Sequence, residues 1–176
     1  MLNPDLSSRR GAFTISPIGL IHTPFHQAMG TPIQGAVSND AQGVVELLPE
    51  FLPGLRDLAE FERVWLIYLL DRASAARMQV RPYLEDEEHG VFATRAPARP
   101  NPIGLTAVRL LGIEDNRLLI GGVDMLDGTA LLDIKPYVPA FDCFAVNRVG
   151  WYQNKMAQGA VADDRFENQA QDNDQK

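Results

Sequence analysis

The sequence of 176 residues holds a single cysteine, Cys143. One thiol excludes an intrachain disulfide and suits a reducing compartment. Positive charge is also scarce: sixteen Lys and Arg stand against twenty-three Asp and Glu, a net charge of −7. Non-specific DNA binding needs a dense cationic face, so that class is excluded, whereas a local basic site is not. Long apolar runs are missing. The longest, Val64 to Leu70, is far too short to cross a bilayer, and the first ten residues lack the apolar stretch of a secretory signal. The expectation is a cytoplasmic protein with no membrane or DNA partner. There is no Walker lysine motif and no Gly-x-Gly-x-x-Gly between a strand and a helix. Alternating strand–helix units are absent too, which excludes a Rossmann fold. Any nucleotide cofactor is bound another way.

What the sequence does contain is a foldable core, dense punctuation and many short apolar runs. Hydrophobic residues make up 45% and charged residues 22%, the balance of a globular domain. Residues 1–11 are polar and read as a flexible segment. From Ala157 the chain turns to Gln, Asn, Asp and Gly, so 157–176 reads as a disordered acidic tail. Residues 12–156 form the domain, without internal repeats. Twelve prolines and fourteen glycines separate strand candidates at 18–23, 43–48, 64–70, 78–81, 91–94, 105–113, 117–125 and 130–134. Glu114-Asp115-Asn116 reads as a hairpin turn. Leu55, Leu58 and Phe61 have helical spacing, so 53–62 is expected to be a short helix. This pattern predicts a mainly β fold, a small closed or nearly closed barrel with a few short helices; an α+β fold is the alternative.

Two stretches carry candidate chemistry. The first is Arg95-Ala-Pro-Ala-Arg99-Pro100-Asn101-Pro102-Ile103-Gly104. Three prolines in the six residues from Pro97 remove donors and fix φ, so the loop is rigid. Its arginines suit a carboxylate, Asn101 suits an amino group or an adenine edge, and Gly104 permits close approach to the backbone. The alternative is a surface turn whose arginines pair with nearby acids. The second stretch runs from Asp124 through Asp127-Gly128-Thr129 to Asp133-Ile-Lys135-Pro-Tyr137. Asp133 and Lys135 lie on one face of a strand, with Tyr137 following, a row that suits proton handling or ligand orientation. A solvated Lys–Asp ion pair is the alternative.

Other features are weaker. Pro24 between His22 and His26 argues against a helical metal face, and no metal site is expected. Glu85-Asp86-Glu87-Glu88 reads as a solvated acidic loop. Phe61, Trp65 and Tyr68 read as core residues rather than a base-stacking platform.

These strings also resemble a known family. Ile18-Gly-Leu-Ile-His-Thr-Pro-Phe25, Thr31-Pro-Ile-Gln34, Leu58-Ala-Glu-Phe61, Val64-Trp-Leu-Ile67, Arg95-x-x-x-Arg99-Pro-Asn-Pro-Ile-Gly-Leu105 and Asp127-Gly-Thr-x-Leu-Leu-Asp-Ile-Lys-Pro-Tyr137 together resemble the TrmO, or YaeB/TsaA-like, family over roughly residues 15–140. The resemblance implies a β-barrel that binds S-adenosylmethionine in a homodimer whose sites lie near the subunit interface. It implies N6-methylation of the threonylcarbamoyl-adenosine beside the anticodon of tRNA. Carried over, Arg95, Arg99, Asn101, Pro102, Ile103 and Gly104 are expected to form one wall of the cofactor site, and Asp127, Leu132, Asp133, Lys135 and Tyr137 the other. Gln34 is expected to reach the same site. Asp133 or Asp127 is the expected base, with Lys135 and Tyr137 as orienters. The family's histidines near Glu62-Arg63 and near Asp71 are absent here, so their roles do not carry over. The acidity of the chain keeps two alternatives open: a small-molecule acceptor, and a module that binds the cofactor without turnover.

Overall fold

The computed structural model describes residues 11, 13–38, 41–153, 155 and 160–167. Its main sheet is built from β1 (Gly19–His22), β2 (Gln42–Leu47), β3 (Arg63–Leu69), β6 (Ile103–Glu114), β7 (Arg117–Gly121) and β8 (Thr129–Pro136). These close antiparallel into a barrel in the order β1-β2-β7-β6-β3-β8, with β8 paired back to β1. The expected mainly β barrel is the observed fold. Closure leaves no sheet edge open to other chains.

Strand alternation drives that closure. On β3, Val64, Leu66 and Tyr68 are buried, while Trp65 and Ile67 face outward. Ile21, Val45, Leu47, Val108, Leu118, Ile120 and Leu131 enter the same interior from the other strands. Each such side chain contributes about 1.5–3 kcal/mol by leaving water. Of the three aromatic residues read as core, Tyr68 is fully buried. Trp65 instead covers the outside of the sheet, 5.5 Å from the Tyr137 ring.

The elements differ from expectation where turns intervene. The expected helix over 53–62 is two 3₁₀ stretches, Pro49–Leu55 and Leu58–Glu60. Asp57 between them has φ 64°, a left-handed conformation that breaks any continuous helix. The expected strand over 91–94 is a 3₁₀ turn, Val91–Ala93, because Thr94 folds back with both its amide and its hydroxyl on the Val91 carbonyl. The candidate over 78–81 survives as β4 (Gln79–Val80), paired with β5 (His89–Gly90). The candidate over 117–125 ends at Gly121, since Gly122 turns the chain with φ 82°.

Residues 70–102, between β3 and β6, leave the barrel and fold over a second apolar cluster of Val80, Val91, Ala96 and Ala98. Phe166 completes that cluster and is only 4% exposed. Residues 160–167 thus depart from the disorder that composition predicts for 157–176: Val161 bridges Pro32 and Glu167 bridges Ala73. A few apolar side chains within a polar stretch suffice to dock it. The remainder of that tail and residues 1–10 lie outside the described residues. No helix among the described residues is long and apolar enough to cross a membrane.

Candidate functional site

A cavity of about 630 Å³ opens at one end of the barrel. That volume lies in the usual range of small-molecule sites, about 300–1,000 Å³. The end of β3, the start of β6, the segment after β7, the loop around Gln34 and the Pro-rich loop all converge there.

The Pro-rich loop forms one wall through Arg95, Pro97, Arg99, Pro100 and Asn101, continued by Ile103 and Gly104. Its shape is held from within. The Arg99 amide donates to the Pro97 carbonyl at 2.8 Å, and the Ile103 amide donates to the Asn101 carbonyl at 2.8 Å. Pro102 does not line the cavity; its carbonyl accepts the Leu70 amide at 2.7 Å and ties the loop to the end of β3. Arg95 donates to Gln34 Oε1 at 2.6 Å, and Arg99 to the carbonyls of Thr94 and Ala96 at 3.3 and 3.4 Å. These acceptors are neutral, so the guanidinium charges are positioned without being cancelled by their hydrogen-bond partners. Arg72 adds a third guanidinium, fixed by the Thr129 hydroxyl at 3.0 Å and lying 3.5 Å from the Asp71 carboxylate.

Asp124 faces this cationic wall. The Thr106 hydroxyl donates to Oδ1 at 2.8 Å, the Tyr68 hydroxyl donates to Oδ1 at 3.4 Å, and the Gly35 amide donates to Oδ2 at 2.6 Å. Burial pushes the carboxyl up to about 6, while those donors and the Arg95 charge act to hold it down. Tyr68 is held far above the ordinary phenol range, chiefly by burial and then by the Asp124 charge, so it stays a neutral donor. Two glycines make the cluster fit. A Cβ on Gly104 would run into the Tyr68 ring, and one on Gly35 would strike the Gly122 carbonyl and the Thr106 methyl. Gly104 therefore admits a neighbouring tyrosine, where the sequence suggested it would admit a ligand.

The structure brings Gln34, Arg95, Arg99, Asn101, Ile103 and Gly104 together at the cavity. It does not bring Asp127, Leu132, Asp133, Lys135 or Tyr137 to its lining. Asp127 accepts the Thr23 amide at 3.1 Å and lies 3.6 Å from both His22 and His26. Asp133 and Lys135 share the predicted face, 2.7 Å apart, but it is the outer face of the barrel. A bulge is the cause. Tyr68 pairs with Leu131 and Ile67 with Asp133, so Leu132 is skipped and the pleat reverses. Leu131 points in before the bulge and Ile134 packs on the core after it, leaving Asp133 and Lys135 outside.

Sequence reasoning did not assign Asp124, Thr106 or Thr129 to the cavity, and placed Tyr68 in the core only. Asp124 did leave a signal: it is a lone acid in the otherwise apolar and glycine run Leu118–Leu126. A carboxylate surrounded by core residues is costly unless it is paired or used.

The fold and site thus define a class: a small closed antiparallel barrel with a ligand cavity at one end, lined by arginines on one side and a buried carboxylate on the other. Residues 20–143 match the family described as tRNA-methyltransferase O N-terminal domain. The chain belongs to that family. A Pyrococcus abyssi protein named "Probable S-adenosyl-L-methionine-binding protein" is 52% identical over 140 residues, 80% of this chain and 76% of its own. A mouse protein named tRNA (adenine(37)-N6)-methyltransferase is 33% identical over 139 residues, 75% of this chain but only 32% of its own. The crystal structure of TrmO from Pseudomonas aeruginosa superposes with a TM-score of 0.68 at 42% identity, covering 80% of this chain and 63% of that one. The chain therefore spans less than two thirds of the mouse and Pseudomonas proteins.

Proposed function

We propose that the chain is an S-adenosylmethionine-dependent methyltransferase whose acceptor is N6 of the threonylcarbamoyl-adenosine beside the anticodon of tRNA. Cofactor and reaction class are those of the family and of its named relatives. The acceptor is the finer step, supported by the family description and by the name of the mouse relative. A homodimer in the cytoplasm goes with this reading.

The observation that carries the proposal is the fit between donor set and cofactor. The methionine carboxylate matches Arg72, Arg95 and Arg99. The ammonium and sulfonium match the carboxylates of Asp71 and Asp124 at the same cavity. Asn101 offers the paired donor and acceptor that an adenine edge requires, while Gln34 is held between Arg95 and the Ile33 carbonyl. When bound, S-adenosylmethionine supplies an electrophilic methyl group. The protein's main task is to hold donor and acceptor in line, which can remove most of the entropic barrier.

The acceptor nitrogen loses a proton as the N–C bond forms and the S–C bond breaks. We place that proton on Asp124, in preference to Asp127 or Asp133, because Asp124 is the one of the three at the cavity. An ionised carboxylate has about four acceptor sites, of which fixed donors occupy three. The vacant site takes the proton.

Calorimetric titration with S-adenosylmethionine, followed by methyl transfer to total tRNA in the same preparation, tests the reading. Binding with transfer is the expected outcome. Binding without transfer would replace tRNA by a small-molecule acceptor or a binding-only role, and no binding by folded protein would overturn the cofactor assignment.

A further inference from the structure

Residues 160–167 lie beyond the matched family domain, which ends at residue 143. They nonetheless tie together the two irregular flanks of the cavity. On the first flank, the Gly30 amide donates to the Ala162 carbonyl at 2.9 Å, and the Ala162 amide donates to the Thr31 carbonyl at 2.7 Å. The Ala28 amide donates to Glu167 Oε1 at 2.5 Å. On the second flank, the Ser74 amide donates to the Phe166 carbonyl at 2.8 Å. Arg165, held at 2.6 Å by Asp163, donates to the Pro82 carbonyl at 2.9 Å and covers the Tyr83 ring. Phe166 meets the same ring edge-on, 5.2 Å away. Ala162, Phe166 and Glu167 then face the cavity directly.

We infer that residues 160–167 are a structural wall of the ligand site, clasping the loop over 28–33 to the segment over 71–83, so that ligand affinity depends on a part of the chain outside the family domain. This rests on the reading that the cavity takes S-adenosylmethionine. The physical reason is preorganisation. The loop over 28–33 has no place in the barrel sheet, and without the clasp it would sample conformations that do not bind. Apparent affinity falls in proportion to the competent fraction. Glu167 acts here by position: its Oε1 atom anchors the Ala28 amide.

Full-length protein and three variants, Phe166→Ala, Glu167→Ala and Glu167→Gln, would be titrated calorimetrically with S-adenosylmethionine. Backbone hydrogen exchange would be followed at Ala28, Gly30 and Ser74 without ligand. Phe166→Ala and Glu167→Ala are expected to weaken binding by at least about tenfold, a loss of ~1.4 kcal/mol. Both are expected to speed exchange at these amides. Glu167→Gln keeps an oxygen acceptor and is expected to bind like the wild type. Glu167 belongs to no apolar cluster, so Glu167→Ala carries the test should Phe166→Ala fail to fold. Wild-type affinity and wild-type exchange in Glu167→Ala would overturn the clasp. An equal loss in Glu167→Gln would overturn the positional role in favour of the charge itself. Failure of the wild type to bind S-adenosylmethionine would instead overturn the functional reading, and the exchange data, which need no ligand, would still decide the clasp.

Discussion

Asp124 concentrates the chemistry of the site at one residue. It sits among apolar neighbours, and three donors from different parts of the chain converge on it: Tyr68 from β3, Thr106 from β6 and Gly35 from the first cavity loop. The charged group that bears on it from the Pro-rich loop is Arg95. A carboxyl that titrates at about 6 is ionised at neutral pH and still basic enough to accept a proton. Asp124→Asn is expected to lower methyl transfer by about 100-fold or more, the usual worth of a general base. Cofactor affinity should fall as well, because Asp124 is one of the carboxylates matched to the ammonium and sulfonium. In the wild type, turnover is expected to fall as pH drops through about 6. Stability moves the other way. The folded protein keeps the Asp124 proton up to about 6, while the unfolded chain releases it near 3.8. The folded state therefore binds more protons across this window, and the contribution of Asp124 to stability declines as pH rises through it. Denaturant titrations at several pH values should show that slope reduced in Asp124→Asn; an unaltered slope would mean the carboxyl titrates normally.

The strands were legible in the sequence because apolar runs and turn chemistry are local. The β3 strand was legible as the unbroken apolar run from Val64 to Leu70, whereas its buried face of Val64, Leu66 and Tyr68 was set by the barrel. The hairpin between β6 and β7 was equally legible from Glu114-Asp115-Asn116. Its register joins Glu114 to Arg117, and Asp115 adopts φ 52°. Any residue with a Cβ is mildly strained in that conformation, Asn and Asp least, whereas Gly is not. Asp115→Gly should therefore leave the melting temperature unchanged or raise stability by up to about 1 kcal/mol, readable by thermal denaturation. A loss above that size would show that the Asp115 side chain holds the turn. The elements that misled were those where one residue reverses a pattern. Asp57 splits the expected helix. The skipped Leu132 in β8 turns Asp133 and Lys135 to the barrel exterior, and no local feature of Leu131-Leu132-Asp133 marks that slip.

At the scale of the whole molecule, a net charge of −7 coexists with a cavity whose lining holds Arg72, Arg95 and Arg99 beside Asp71, Asp124 and Glu167. The excess of acids repels a polyanion, so on the proposed tRNA reading the arginines not engaged by the methionine carboxylate would supply its contacts. With about one or two phosphates neutralised there, log affinity for tRNA against log salt should have a slope of about −1 to −2. Arg95→Ala should flatten it by about 1. Filter binding over a range of salt concentrations measures this, and tRNA affinity indifferent to salt would detach the arginines from any RNA contact.

Turn chemistry and strand pattern pointed to a mainly β barrel and a rigid Pro-rich loop, while the wall of Arg95, Arg99 and Asn101 was implied by the family resemblance. The barrel strands and the loop depend on neighbours in the chain: proline restricts its own φ, and a strand's faces follow from successive residues. The other wall was decided only by the tertiary structure. Asp124, Thr106 and Tyr68 meet through strand register. Asp133 is removed from the site by a bulge that only pairing with β3 defines. Phe166 and Glu167 reach the cavity because apolar side chains within a polar tail found a hydrophobic cluster built from residues 80–98. Contacts that span such distances are selected by packing of the whole chain, and no local pattern encodes them.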